Sequence, residues 1–269
     1  MPDGATPEFA GQVAVVTGGA DGIGKAISLG LAAGGADVVI IDIKPAALDE
    51  LKAVAAGAGQ RFAAWHCDVT KAEQVTQTCR EIEAALGAPS ILVNNVGGSG
   101  DTQVLDVEDL TDDQWEGILS LNLGSAFRFC RALVPGMKRA KYGRIVNISS
   151  GLKEGIFGPQ AASSVRLRLP YITAKGAIVS FTKQLAKDLG PHGITANVVA
   201  PGFTLPGENA RITQRYRAMT EEQKFAITGS IPMGRPATGE DIAGAVCFLV
   251  SPRNQYISGE TLNVSGGNH

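Results

Sequence analysis

Thr17-Gly18-Gly19-Ala20-Asp21-Gly22-Ile23-Gly24 is the stretch on which the reading of this chain turns. It follows a Val-rich run, Val13 to Thr17, and leads into a helical apolar pattern from Ile23 to Ala33. Glycines between a strand and a helix let the backbone turn tightly and approach a pyrophosphate, whose charge then sits at the helix N-terminus. The spacing is G-x-x-x-G-x-G rather than the common dinucleotide fingerprint, so for the motif alone a plain glycine-rich turn is the competing reading. Asp42 ends the next β-type run, eighteen residues after Gly24. A carboxylate there can accept hydrogen bonds from both hydroxyls of an adenosine ribose, and it repels a 2′-phosphate. Its competing reading is a strand-end turn residue. Asp21 adds a second negative charge, whereas Lys44 is within reach of a 2′-phosphate and works the other way. On balance NAD is expected as the cofactor.

Outward from this turn, β-type runs alternate with helical patterns along the whole chain. Strands are predicted at Ala36 to Ile41, Arg61 to His66, Ile91 to Asn94, Arg144 to Ile148, Thr195 to Ala200 and Thr261 to Val264. Helical patterns fall near Ala46–Ala56, Ala72–Leu86, Asp112–Arg139, Tyr171–Leu189 and Glu240–Val250. The strand runs are Val/Ile-rich rather than alternating, as expected when helices cover both faces. Repeated β-α-β units imply an α/β, doubly wound parallel sheet in a single domain over residues 1–269. Two Gly/Pro-rich segments, Gly151 to Pro170 and Phe203 to Pro236, resist the pattern, and loops of that length are usually functional.

Bulk properties narrow the function. The formal charge of -2 gives no electrostatic case for nucleic acid or an anionic membrane. No run reaches the roughly 18 apolar residues of a membrane span. Met1 to Ala10 has no basic cluster and no apolar core, unlike a signal peptide. Cys67, Cys79, Cys130 and Cys247 form no C-x-x-C pair, which suits buried thiols in a reducing cytoplasm. His66, His192 and His269 lack metal-ligand spacing, so no metal is expected.

Tyr171 and Lys175 are four apart in a helical pattern, so both side chains project from one face. A phenol titrates near 10, too high for a base near neutrality, and a neighbouring ammonium favours the phenolate. Such a tyrosine accepts a proton during alcohol oxidation and donates one during carbonyl reduction.

The T-G-x-x-x-G-x-G turn, Asn94-Asn95-Val96-Gly97 after the fourth strand and Tyr171-x-x-x-Lys175 together resemble the short-chain dehydrogenase/reductase family, compact type. The likeness runs from Gln12 to Gly267 and includes Asp68-Val69, Pro201-Gly202 and the closing Gly259 to Gly267 stretch; Val96 stands where the family usually has alanine. It implies a Rossmann-type fold and hydride transfer between NAD and an alcohol or carbonyl carbon of a polyol, sugar, hydroxy acid or ketone. By resemblance the turn residues Gly18, Ala20, Asp21, Gly22, Ile23 and Gly24, with Asp42, hold the dinucleotide. Asp68 and Val69 would flank the adenine, Asn95 and Gly97 the nicotinamide-side ribose, and Pro201, Gly202 and backbone near Thr204 the carboxamide. Tyr171 and Lys175 would touch the cofactor as well as act in catalysis. Ser150, with Ser149 as fallback, would hydrogen-bond the substrate oxygen. Asn122 would kink its helix and hold a water linking Lys175 to solvent. Residues 203–236 resemble the family's substrate lid, and a cytoplasmic homotetramer is implied. Leu119, Leu123, Phe127 and Cys130 supply an apolar stripe for the subunit contact, or else face the subunit's own sheet.

One feature departs from the family. Ser150 and Tyr171 are 21 residues apart where the family usually has about 13. The extra residues fall in Gly151 to Pro170, around Gln160–Leu169. Arg166 and Arg168 inside them would bind an anionic substrate group, or else serve as a solvated or subunit-contact pair. The rival class is a nucleotide-sensing binding protein that keeps the fold without the chemistry. Loss of Tyr171 or Lys175 would mark it, and both are present.

Overall fold

Strands made mostly of apolar residues are buried only if something covers both faces, and here two separate cores do so. The computed structural model describes residues 7–44, 62–100, 106–155 and 168–268, together with 49, 51 and 53. Seven parallel strands lie in the order β3-β2-β1-β4-β5-β6-β9. They are β1 (Val13–Thr17), β2 (Asp37–Asp42), β3 (Phe62–His66), β4 (Ile91–Asn94), β5 (Gly143–Ile148), β6 (Ile194–Pro201) and β9 (Thr261–Val264). Between the last two, β7 (Thr204–Leu205) and β8 (Ala237–Thr238) form a separate short parallel pair.

Because side chains alternate across a strand, successive residues serve opposite cores. Val16, Val38, Ile40, Ile91 and Val93 pack with Ile27 and Leu31 of α1 (Gly22–Ala33). Ile242, Val246 and Leu249, from the last helix (Gly239–Val250), complete that side. Val15, Val39, Ile41 and Leu92 face the other way. There they meet Val75 and Ile82 of α2 (Ala72–Leu86), and Phe129, Leu133 and Met137 of a helix at Ser125–Ala140. Each fully buried Val, Leu or Ile contributes about 1.5–3 kcal/mol, and a shift of one residue in register would exchange the rows that fill the two cores.

The long fourth helical pattern is three pieces: α3 (Asp112–Leu119), a π-helical turn at Ser120–Gly124, and α4 (Ser125–Ala140). The π turn rotates α4 relative to α3. Within α4 Cys130 is buried against the subunit's own sheet while Phe127, three residues earlier, is 47% exposed, so the expected stripe is split between two faces. Next comes α5 (Leu169–Leu189), which starts two residues before Tyr171 because Pro170 fits the first turn, where no N–H is needed. Residues 203–236, read from sequence as an irregular lid, contain α6 (Arg211–Arg217) and α7 (Glu221–Thr228). Both are short and mostly polar, so their periodicity is faint. Phe203 meets Tyr216 of α6 at 5.7 Å between ring centroids, and a local capping box of Thr220 with Gln223 starts α7. The last helix is α8 (Gly239–Val250). The helix expected near Ala46–Ala56 lies mostly outside the described residues, as do Arg166 and most of the extra residues before Tyr171.

The order 3-2-1-4-5-6 reverses between β1 and β4. Ligands of doubly wound sheets bind in the crevice beyond the strand ends at such a switch point. The turn after β1, Asn95 after β4 and Ser150 after β5 all open there. No helix among the described residues is long and apolar enough to cross a membrane.

Candidate active site

The glycine turn is strapped on both sides. Gly18 has φ +63°, a conformation that side chains resist, and its N–H donates to Ile41 O at 2.7 Å. A Cβ on Gly24 would stand 2.0 Å from Gly18 O, so α1 can begin this close beneath the turn only without one. Asn95 Nδ2 donates to Thr17 O (3.0 Å) and Gly18 O (3.2 Å). From the other side Asp42 Oδ2 accepts from Ala20 N at 3.3 Å, while Oδ1 accepts from Ile43 N and Lys44 N. Asp21 caps α1 by accepting from Gly22 N at 2.7 Å, and the first turn of the helix carries no acid. Ile23 packs onto the α1 core, holding the helix start in place. Such a cradle fits a dinucleotide: backbone N–H groups open toward a pyrophosphate, and a carboxylate stands where the ribose hydroxyls would lie. Lys44 is drawn to Asp21, 3.6 Å away.

Asp68 and Val69 follow β3 on the same rim. The Asp68 carboxylate is bound by the Thr70 hydroxyl (2.7 Å) and Thr70 N (2.9 Å), which hold it below the usual carboxylate range, and Val69 is buried. At the far side of the crevice Gly202 N donates to Val264 O, and Thr204 Oγ1 donates to Gly202 O at 3.0 Å. A Cβ on Gly202 would stand 2.8 Å from Ser265 Cα, so Pro201-Gly202 is pressed onto the C-terminal strand.

Asn122, Ser150, Tyr171 and Lys175 converge between these two halves. The Tyr171 phenol hydrogen-bonds Ser150, whose Oγ also accepts from Leu152 N at 3.1 Å. Ser149 serves the scaffold instead, since its hydroxyl donates to Lys175 O at 2.7 Å and ties α5 to the end of β5. Ser150 rather than Ser149 therefore stands beside the tyrosine. Lys175 is buried; its ammonium lies 5.7 Å from the Tyr171 ring centroid and donates to Ile148 O at 2.8 Å. Asn122 sits in the π turn, where its Nδ2 donates to Ile118 O and Gly98 O and its Oδ1 accepts from Gly98 N. The helical irregularity expected at this asparagine is thus present, and the amide itself holds it.

The electrostatics depart from the sequence reading in one respect. Burial pushes Tyr171 above the usual phenol range, while the Ser150 hydrogen bond and the Arg168 charge pull the other way. Burial also lowers Lys175 to about 8. In the protein alone, desolvation of both groups outweighs the help the ammonium was expected to give the phenolate. Arg168, exposed at the start of α5, supplies the positive charge that acts on the phenol.

Sequence reasoning missed the groups that hold the catalytic ones. Thr17 Oγ1 accepts from both Asn95 N and Val96 N. Asn94 donates to Asn147, which donates to the Thr182 hydroxyl, a fully buried chain from β4 through β5 to α5. The available signal was polar residues inside runs that are otherwise apolar, since such groups are buried only when paired.

Comparisons with known proteins agree with this geometry. A family model described as Enoyl-(Acyl carrier protein) reductase matches residues 18–269. The 3-oxoacyl-(acyl-carrier-protein) reductase FabG of Pseudomonas aeruginosa is 35% identical over 257 residues, 96% of this chain and 97% of the relative. The short-chain reductase protein NovJ of Streptomyces niveus is also 35% identical, over 99% of this chain and 98% of its own. The solved structure of gox2181 superimposes with a TM-score of 0.85 at 30% identity, covering 97% of each chain. This chain belongs to the short-chain dehydrogenase/reductase family, oxidoreductases that bind a nicotinamide cofactor and act between an alcohol and its carbonyl.

Proposed function

We propose that this protein is an NAD-dependent oxidoreductase interconverting a secondary alcohol and its ketone, with Tyr171 as acid–base. The observation that carries this reading is the Tyr171 phenol hydrogen-bonded to Ser150 above the buried Lys175, at the open end of a crevice floored by the glycine turn. A bound nicotinamide ring supplies the hydride acceptor for oxidation, or the donor for reduction. Ser150 and Tyr171 hold the substrate oxygen by two hydrogen bonds. During oxidation the hydroxyl proton passes to the Tyr171 phenolate as hydride leaves the same carbon, giving ketone, reduced nicotinamide and one proton. Lys175 favours the phenolate, and Asn122 holds the water through which Lys175 returns that proton to solvent. Asp42, backed by Asp21, excludes a 2′-phosphate. Asn95 serves mainly by bracing the turn. Asp68, Val69, Gly97, Pro201, Gly202 and Thr204 complete the walls around the dinucleotide.

Relatives of equal identity carry different names. The likeness therefore supports the reaction class, and a 3-oxoacyl thioester enters as one ketone among several. Residues 203–236 are assigned as the substrate lid, and the exposed Arg168 beside Tyr171 favours substrates with an anionic arm. Free cysteines, with Cys67, Cys79 and Cys130 buried and Cys247 partly so, suit a reducing cytoplasm. The exposed Phe127 and Phe248 suit assembly into a homotetramer. The test is a panel of polyols, hydroxy acids, ketones and 3-oxoacyl thioesters assayed with NAD(H) and with NADP(H) by nicotinamide absorbance. Turnover with NAD(H) supports the reading. No turnover across the panel, with NADH still bound, would favour a nucleotide-sensing protein.

A further inference from the structure

Ser150 leaves β5 with an extended backbone, and the chain then makes a single helical turn of the 3-10 type at Gly151–Glu154. The turn closes back on the serine: Leu152 N donates to Ser150 Oγ at 3.1 Å, and Lys153 N donates to Ser150 O at 3.1 Å. A hydroxyl has one proton and two lone pairs, so an N–H on one lone pair limits where the O–H can point. It also polarises the O–H, which strengthens it as a donor. The direction of the Leu152 N–H therefore bears on the hydrogen bond that Ser150 offers a substrate oxygen.

The turn is seated tightly on its neighbours. A Cβ on Gly151 would stand 3.3 Å from Pro201 O, and one on Gly176 would stand 3.1 Å from Lys153 O. The turn thus lies close against the end of β6 and against α5. A third contact comes from a side chain. Lys153 is drawn inward, its side chain 10% exposed, and its ammonium donates to Asn263 Oδ1 of β9 at 3.0 Å. Glu154 lies 3.3 Å from the same ammonium, but its side chain is 76% exposed, and a pair so open to solvent contributes little. A lysine on a surface turn ordinarily extends its charge into water. Here most of the side chain is covered, and the ammonium is met by a neutral amide. Drawing a charge out of water to meet a neutral group does little for the fold, but it does fix the turn to the last strand.

We propose that Lys153 is a positioning residue for Ser150: its ammonium pins the turn to Asn263, which holds the Leu152 N–H on the serine oxygen and leaves the O–H to face the substrate. This rests on the role given above to Ser150 and extends it to a residue that acts through that serine.

The first measurement needs no substrate. In cofactor-free protein labelled with 15N-leucine, the Leu152 amide signal is identified by its loss in Leu152→Met, and its hydrogen exchange is followed. Lys153→Met should speed that exchange at least about tenfold, while the amide of a buried sheet residue such as Leu92 keeps its rate. Unchanged exchange at Leu152, or faster exchange at both, would overturn the proposal. The second measurement is a double-mutant cycle with NADH and a ketone of the panel above. Ser150→Ala should lower kcat at least about a hundredfold, as loss of a donor to the reacting oxygen does. Lys153→Met should lower kcat at least about fivefold, with KM for the ketone and Kd for NADH changed less than about twofold. In the Ser150→Ala background, Lys153→Met should have no further effect on kcat. An equal loss in both backgrounds would mean that Lys153 acts on the fold and not through Ser150, which overturns the proposal. If Lys153→Met does not fold, Asn263→Ala breaks the same contact from the exposed strand and takes its place in both measurements. Failure of both variants to fold overturns the proposal by making the contact a packing requirement. Near-normal turnover in Ser150→Ala refutes the role of the serine itself, whereas an impaired Ser150→Ala beside a normal Lys153→Met refutes only its positioning by Lys153.

Discussion

Replacing Asp42 by Asn removes one charge and little else, which makes it the sharpest probe of cofactor choice. The carboxylate is fixed by three backbone N–H groups, from Ala20, Ile43 and Lys44. Asn keeps an acceptor for Ile43 and Lys44 but turns an NH2 toward Ala20, a loss of about 1 kcal/mol in stability. Two unit charges about 4 Å apart interact by about 1 kcal/mol in water and about 4 kcal/mol at an effective dielectric of about 20. Asp42 is half-buried at the rim of the crevice, so its repulsion of a 2′-phosphate falls between those limits. Lys44 offsets little of it, because its charge lies 3.6 Å from Asp21 and both side chains are well exposed. At about 1.4 kcal/mol per tenfold, the wild type should prefer NAD(H) by at least about tenfold in kcat/KM. Asp42→Asn should reduce that ratio at least about tenfold, chiefly through a lower KM for NADPH. The assay is initial rates with NADH and NADPH on one ketone, repeated at rising salt. With a Debye length of about 8 Å at physiological ionic strength, an electrostatic preference weakens as salt is added. Equal efficiency of the two cofactors in the wild type, or an unchanged ratio in Asp42→Asn, would refute this reasoning.

Tyr171→Phe should lower turnover at least about a hundredfold while NADH binding, read by fluorescence, stays nearly constant. Burial lowers Lys175 from 10.5 to about 8, so between those values the unfolded chain binds more protons than the folded one and stability should rise with pH. Below that window the buried ammonium is a penalty on the order of 3 kcal/mol. Lys175→Met should therefore flatten the rise in urea midpoint between about pH 7 and pH 10; a slope like the wild type's counts against a buried, perturbed lysine. Arg168→Ala should raise KM for a carboxylate-bearing substrate several-fold without altering NADH affinity, and equal KM values would remove Arg168 from the pocket. Phe127→Glu should shift light scattering from a tetramer toward smaller species; a wild-type monomer at micromolar concentration ends the assembly proposal.

The fold was legible because its causes are local. Mostly apolar runs such as Val13–Thr17 and Ile91–Asn94 need cover on both faces, and helical patterns of the right length lie between them, so a doubly wound parallel sheet results. The glycine turn, Tyr171 and Lys175 were legible for a similar reason: strand-turn-helix spacing and a separation of four on one helix survive in the linear order. Short polar elements such as α6 and α7 were not, because seven or eight mostly polar residues carry too little apolar periodicity to stand out. Which of two adjacent serines stands beside the tyrosine, and where the apolar stripe on α3 and α4 divides, also depended on the packed chain. Phe127 and Cys130 share one helix, and only its seat on the sheet leaves the first exposed and the second buried. Even the balance of charge at Tyr171 and Lys175 was a tertiary matter. The residue types on one helix face predicted mutual help, but how far each group is withdrawn from water depends on every element packed around it, and desolvation prevailed.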